Sequence, residues 1–282
     1  METQLDCLPC FLRQGLYAAR LAKPEDKDLH RQVVQSWSKR LADSDLTLPP
    51  PLLVGDLYTI LGKLIDNPDP FAKEKNESNI KALNLLPTLR TIISQSKDPL
   101  LAALEISIIG NYIDSGVGKD FHWQDKLQTE HRQLDMATYE RFLKEISSFK
   151  KVMILGDNAG EIALDTLLVE ELQKLDCQVI YVVREKPIIN DATMEDACFV
   201  KLIDKCRVIS SGVDTAGTVL KRCSSDFLEE FSQTPVVISK GQGNLEALLQ
   251  EQSPIYYAFK VKCQVISELI NQPEGNSVFL CL

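Results

Sequence analysis

The 282-residue sequence has no apolar run long enough to span a membrane and no excess of basic residues. Its 40 acidic residues outnumber its 31 lysines and arginines, so the formal net charge is -9. Nucleic acids and anionic membranes bind proteins through clustered lysine and arginine, so we expect neither as a partner. The N-terminus is acidic and lacks the layout of a signal peptide, and we therefore predict a cytoplasmic protein.

Several catalytic motifs are also missing from the chain. It contains no G-x-G-x-x-G fingerprint, no Walker A loop and no G-x-S-x-G elbow. The three histidines are His30, His122 and His131, and none lies in a loop that follows a predicted strand. A nucleophile activated by histidine is therefore not expected.

The eight cysteines are interpreted as reduced thiols, because the chain is long and carries no secretion signal. Cys7 and Cys10 form a C-x-x-C motif, and no second such motif completes a structural zinc site. A partial metal site, a labile disulfide and local packing all remain open for this pair. We treat Cys7 and Cys10 as candidate accessory thiols.

The sequence predicts an α/β protein with two parts. Residues 1–125 show apolar residues at helical spacing and are predicted to form a helical N-terminal subdomain, with a helix beginning at Asp98-Pro99. In residues 126–282 strands alternate with helices, which is typical of a three-layer α/β/α Rossmann-like domain with a mostly parallel sheet. The last strand is a candidate for antiparallel pairing. The predicted strands cover residues 152–155, 178–183, 207–210, 235–239, 255–259 and 277–281.

Polar loops follow the first four predicted strands. The carboxyl ends of parallel strands meet at one edge of a sheet, so we expect these loops to lie close together. Each polar residue alone could be a helix cap or a turn residue, but their joint occurrence at one edge favours a functional site. Their oxygens suit a divalent cation, and their glycines and lysine suit a phosphate. The residues in question are Asp157, Asn158, Asp191, Asp214, Thr215, Lys240 and Asn244.

A further polar segment, Gly110-Asn111-Tyr112-Ile113-Asp114, precedes the sheet. It reads as the C-terminal end of a helix. A carboxylate at that position opposes the helix dipole, so Asp114 has no evident stabilising role there. A functional role for Asp114 is therefore favoured.

Four segments together resemble the metal-dependent damage-control phosphatase family, formerly a domain of unknown function and also called ARMT-like. They are residues 156–161, which read GDNAGE, the pair Asn190-Asp191, residues 110–114, and residues 240–244, which read KGQGN. The C-x-x-C motif resembles the stand-alone, mainly prokaryotic subgroup of that family. The resemblance implies hydrolysis of small phosphorylated metabolites, such as sugar phosphates or damaged phosphorylated cofactors, with Mn²⁺, Co²⁺, Ni²⁺ or Mg²⁺.

The resemblance also implies roles for individual residues. The metal ligands would be Asp157, Asn158 and Asp191. Lys240 would neutralise charge on the phosphoryl group, and Asp114 or Asp157 would orient or deprotonate an attacking water. We favour direct attack by water over an aspartyl-phosphate intermediate. Substrate and phosphate contacts would come from Asn111, Gly160, Glu161, Asp214, Thr215, Lys240 and Asn244.

Two other functions remain open at this point. A methyltransferase on a Rossmann-like fold would bind a nucleoside cofactor without metal, and the absent glycine fingerprint counts against it. A non-enzymatic metabolite or metal sensor would use the C-x-x-C motif as its switch. The sequence does not indicate an oligomeric state.

Overall fold

The computed structural model describes residues 1–110, 134–251 and 254–282. The predicted domain boundary between residues 125 and 126 lies outside these ranges. Within them, no helix combines the length and the apolar character that crossing a membrane requires. The helices that precede the sheet are α1 (Cys7–Ala22), α2 (Lys27–Ala42), α3 (Pro50–Ile65), α4 (Ala72–Gln95), α5 (Pro99–Ile109) and α6 (Met136–Phe149).

Proline and aspartate set the beginnings of these helices. The Asp98 side chain accepts a hydrogen bond of 3.0 Å from the main-chain N–H of Leu101, and Pro99 occupies the first helical position. The predicted start of α5 is thereby confirmed. Helix α3 begins at Pro50, because the first turn of a helix needs no donor N–H and so accepts proline.

Six strands in the described part of the chain form one sheet, in the order β3-β2-β1-β4-β5-β6. Strands β1 to β5 pair in parallel and β6 runs antiparallel to β5, so the mostly parallel sheet and all six predicted strands are confirmed. The elements in chain order are β1 (Lys151–Leu155), α7 (Glu161–Lys174), β2 (Gln178–Val183), α8 (Met194–Phe199), β3 (Arg207–Ser210), α9 (Ser225–Ser232), β4 (Val236–Lys240), α10 (Gln242–Leu248), β5 (Ile255–Lys260), α11 (Gln264–Ile270) and β6 (Ser277–Cys281).

The core of the protein lies on both faces of this sheet. Val152 and Ile154 of β1 join the core formed with α4, α5, α6 and α7, while Met153 and Leu155 join the core formed with α9, α10 and α11. Helices α1, α2 and α3 pack around Trp37 in a third core. The three-layer arrangement is confirmed, and α4 and α5 share their core with the sheet.

Removing the ring of Phe142 should destabilise the fold. This side chain is fully buried in α6, and its ring centroid lies 5.2 Å from that of Tyr256 and 5.5 Å from that of Phe279. We expect Phe142→Ala to lower the free energy of unfolding by about 3–5 kcal/mol in urea denaturation. Phe149→Ala is the control, because Phe149 ends the same helix and is 55% exposed. Equal losses in the two variants would contradict the packing described.

Candidate functional site

The candidate site lies where the order of the strands reverses, between β1 and β4. At such a point the connections leave on opposite sides and open a crevice beyond the carboxyl ends of the strands. Asp157 and Asn158 follow β1, and Asp191 comes from the loop after β2. An isolated bridge joins Asn158 to Asp191, and the N–H of Ala192 donates to the carbonyl of Asp157 at 2.7 Å. The structure thus brings the three predicted metal ligands together.

These three residues line a cavity of about 720 Å³. Helix α1 contributes Cys7, Cys10 and Arg13 to its wall, and the loop after β5 contributes Lys262 and Cys263. The first helix of the chain therefore forms one wall of the crevice at the edge of the sheet.

The donor set suits a hard divalent cation. The side chains of Asp157 and Asp191 supply carboxylates, and that of Asn158 supplies an amide, which are the ligand types that Mg²⁺ and Mn²⁺ prefer. Burial raises the pKa of Asp191, and the negative charge of Asp157 acts in the same direction. Among the described residues, no three histidine, cysteine, aspartate or glutamate side chains form a cluster that could hold a metal. Any metal here would therefore depend on the amide as well as the two carboxylates.

Arg184 hydrogen-bonds to Asp191 and lies near Asp157. It was not predicted from the sequence. Its Nε donates to Asp191 Oδ2 at 2.7 Å, its Nη1 donates to Thr218 Oγ1 at 3.1 Å, and its Nη2 lies 4.0 Å from Asp157 Oδ1. The side chain is 1% exposed, and Nη2 has no hydrogen-bond partner within the described ranges. The available signal was its position, directly after β2 in one of the loops already singled out.

Lys240 lies beneath the cavity and does not line it. Its Nζ contacts Asp165 Oδ1 at 2.9 Å, the carbonyl of Ser107 at 3.1 Å and Glu161 Oε2 at 3.4 Å. Burial acts to lower the pKa of Lys240, but the adjacent Asp165 and Glu161 carboxylates more than offset it, so the pKa is raised. Burial in turn raises the pKa of Glu161, against the opposing charge of Lys240. The ammonium group is thus held by three protein acceptors.

Other predicted contacts are also engaged within the protein. The N–H of Gly160 donates to Asn79 Oδ1 at 2.7 Å. Asn244 Nδ2 donates to the carbonyls of Gly156 and Lys240 at 3.2 and 2.7 Å, and its Oδ1 accepts from the N–H of Thr218 at 2.8 Å. Asn244 therefore fastens the loops after β1 and β4 to the segment that follows β3.

The last predicted residues lie apart from the cavity or outside the described chain. Asp214 accepts a hydrogen bond from Arg222 Nη1 at 3.0 Å, and Thr215 Oγ1 donates to the carbonyl of Gly217 at 2.7 Å. Neither lines the cavity. Asn111 and Asp114, together with His122 and His131, lie outside the described residues. The roles predicted for them stay predictions.

Two cations in the cavity wall were not predicted. Arg13 and Lys262 are both exposed, and neither forms an ion pair with a described residue. The charge of Lys262 acts on Asp191, whose pKa is raised by burial and lowered by Arg184 and Lys262. Lys262 therefore places positive charge near Asp191 without forming an ion pair with a described residue.

A side chain at position 241 should displace Asp157. Gly241 has φ of +79°, and a Cβ there would collide with the Asp157 carboxylate. Gly275→Ala is the control for positive φ alone, because Gly275 has φ of +85° with open space around it, whereas Gly241 also has ψ of 153°, a combination almost confined to glycine. In urea denaturation we expect Gly275→Ala to cost about 1–2 kcal/mol for its backbone conformation. Gly241→Ala should cost about 1–3 kcal/mol more. Equal costs would show that Asp157 does not lie against position 241.

Comparison with known proteins identifies the family of this chain. The family model of the damage-control phosphatase ARMT1-like domain matches residues 3–278. A damage-control phosphatase from Pyrococcus horikoshii is 30% identical, over 98% of this chain and 96% of its own. Another, from Archaeoglobus fulgidus, is 31% identical over 96% of each chain.

The fold is shared as well. The crystal structure of a DUF89 family protein from Pyrococcus horikoshii matches this one with a TM-score of 0.87 at 29% sequence identity, and the match covers 99% of each chain. Because the family match spans both the N-terminal helices and the sheet, and the structural match covers nearly every residue, the protein belongs to the family of damage-control phosphatase ARMT1-like domains.

Proposed function

We propose that this protein is a metal-dependent phosphohydrolase that acts on small phosphorylated metabolites. The observation that carries the proposal is the set of Asp157, Asn158 and Asp191 in the wall of a cavity that also contains two cations, Arg13 and Lys262, neither of which pairs with a described acidic residue. The relatives named damage-control phosphatases support the reaction class. In this reaction water attacks phosphorus, the ester P–O bond breaks, and an alcohol and inorganic phosphate leave.

Asp157, Asn158 and Asp191 would hold the metal, for which Mn²⁺, Co²⁺, Ni²⁺ and Mg²⁺ are the candidates. A cation bound there would supply Lewis-acid polarisation of the phosphoryl group. Arg184 keeps the Asp191 carboxylate in place through its 2.7 Å hydrogen bond. Because Arg184 is buried and hydrogen-bonded to both Asp191 and Thr218, the Asp191 carboxylate is positioned before any ligand arrives.

Lys262 and Arg13 are the side chains available to a phosphate. Both line the cavity, and neither is bound to a carboxylate in the described structure. A phosphate dianion that enters the cavity would therefore meet positive charge that is free to move toward it. The three contacts of Lys240 instead support a positioning role, in which its ammonium group holds Glu161 and Asp165 beneath the site.

Metal removal and ligand substitution test the proposed reaction. We expect metal-stripped protein to release no phosphate from p-nitrophenyl phosphate or a panel of sugar phosphates and phosphorylated cofactors, and added Mn²⁺, Co²⁺, Ni²⁺ or Mg²⁺ to restore release. Asp157→Asn and Asp191→Asn should each lower kcat/KM by at least about 100-fold. Asp204→Asn, which changes an exposed aspartate outside the cavity, should match the wild type.

Calorimetric titration with Mn²⁺ accompanies this assay. Binding that Asp157→Asn and Asp191→Asn both weaken would support the ligand set. Turnover that is unaffected by chelators or by both substitutions would overturn the proposed function.

The roles of Lys262 and Lys240 can be distinguished by measuring both activity and stability in variants of each. Lys262→Ala should lower kcat/KM by about 10- to 100-fold, the range expected for loss of a charged hydrogen bond, while leaving the unfolding free energy unchanged. Lys240→Met leaves buried carboxylates without their cation, and should destabilise the fold by about 3–5 kcal/mol. Lys144→Ala, at an exposed lysine of α6, is the control for charge.

The opposite result would support the role in phosphate binding that the sequence predicted for Lys240. If Lys262→Ala keeps full activity while Lys240→Met folds stably and is inactive, Lys240 contacts the phosphate. Stability is measured by urea denaturation and activity by phosphate release at several substrate concentrations.

A further inference from the structure

The C-x-x-C motif takes no part in the proposed reaction, yet it lies in the wall of the same cavity. Cys7 is the first residue of α1, and Cys10 follows one turn later. Residues three apart on a helix lie on the same face, with Cβ atoms about 5–6 Å apart. Both thiols are free, with Cys10 exposed and Cys7 partly buried. A modest adjustment of the first helical turn would bring the two sulfurs to bonding distance.

A third thiol lies near this pair. Cys263, from the loop after β5, lines the same cavity, and its Sγ accepts a hydrogen bond of 3.4 Å from Gln242 Nε2. Burial raises the pKa of Cys7 to about 11, and Glu246, Cys263 and Cys10 act in the same direction. Cys7 therefore lies within electrostatic reach of both other thiols.

The structure distinguishes the three interpretations of the C-x-x-C motif that the sequence left open, which are a partial metal site, a labile disulfide and local packing. Within the described residues no three histidine, cysteine, aspartate or glutamate side chains converge at the motif, so Cys7 and Cys10 lack the further ligands of these types that a structural zinc site uses. A cysteine that serves packing is normally buried, whereas Cys10 is exposed. Reversible disulfide formation is the interpretation that fits two adjacent free thiols, one of them open to solvent.

We propose that Cys7 and Cys10 are a thiol modification site that forms a reversible disulfide by exchange with a low-molecular-weight disulfide. Cys10, the exposed thiol, loses its proton and attacks one sulfur of the incoming disulfide, which releases the first thiol and leaves a mixed disulfide. Cys7 then gives up its proton and attacks the sulfur of Cys10, which releases the second thiol. The protein loses two hydrogens, and one disulfide is reduced to two thiols.

Oxidation would also change the wall that faces the metal ligands. Cys7 and Cys10 line the cavity together with Asp157, Asn158 and Asp191, so a change in the first turn of α1 alters the space open to a substrate. We therefore expect the disulfide to change KM more than kcat. This part of the inference rests on the proposed phosphatase function, whereas the formation of the disulfide does not.

The test equilibrates the full-length protein in glutathione buffers of increasing oxidation and traps free thiols by alkylation. Intact mass and peptide mapping should show loss of two hydrogens, protection of Cys7 and Cys10, and reversal by dithiothreitol. Cys10→Ser should abolish this change. Cys198→Ser is the matched control, because Cys198 is exposed and lies outside the cavity, and it should behave like the wild type.

Each further outcome decides part of the inference. Glutathione adducts without an intramolecular bond, or a bond between Cys7 and Cys263 that survives in Cys10→Ser, would overturn the assignment. A Cys7–Cys10 disulfide with unchanged KM would overturn its effect on the substrate. A disulfide in a protein with no turnover in either redox state would support the modification site and contradict the proposed function.

Discussion

Burial of several carboxylates at one edge of the sheet is the constraint on which the site depends. Asp157, Asp191, Glu161 and Asp165 are each less than 8% exposed, and a buried carboxylate is costly unless it is paired. The described cations that contact them are Arg184 and Lys240. Carboxyl groups therefore outnumber the cations that contact them: burial raises the pKa of Glu161 and of Asp191, which favours their protonated forms, and a bound divalent cation would favour the ionised ones. The same two bases also fix the positions of the acids, so charge compensation and positioning depend on the same contacts.

The strands, and the meeting of Asp157, Asn158 and Asp191 at one edge of the sheet, could be predicted because both are encoded locally. A β-branched run that ends in glycine and aspartate identifies a strand and the loop after it, and parallel pairing brings such loops together. Side-chain direction is not encoded in this way. Lys240 was placed at the correct edge, but burial with Glu161 and Asp165 depends on α5 and α7, which pack against its strand. Apolar periodicity gives no signal for α8 and α11, because these helices have only six and seven residues.

Lys262 was overlooked for a related reason. It lies after β5, the one parallel strand whose following loop carries no glycine or acidic cluster to draw attention. Its place in the cavity wall is evident only from the folded structure, because the cavity forms between α1 and the edge of the sheet. The family model likewise matches both parts of the chain, the N-terminal helices and the sheet.

The cavity wall draws on both ends of the chain. Cys7 and Arg13 lie within the first 15 residues, while Lys262 lies within the last 25. During synthesis the N-terminal helices leave the ribosome long before β5 is made, and chains tend to fold from the N-terminus as they emerge. One side of the future cavity therefore stays exposed until β5 and the loop after it have been translated. A chain that stalls between Asp191 and β5 would possess the acidic residues of the site without the part of the wall that holds Lys262.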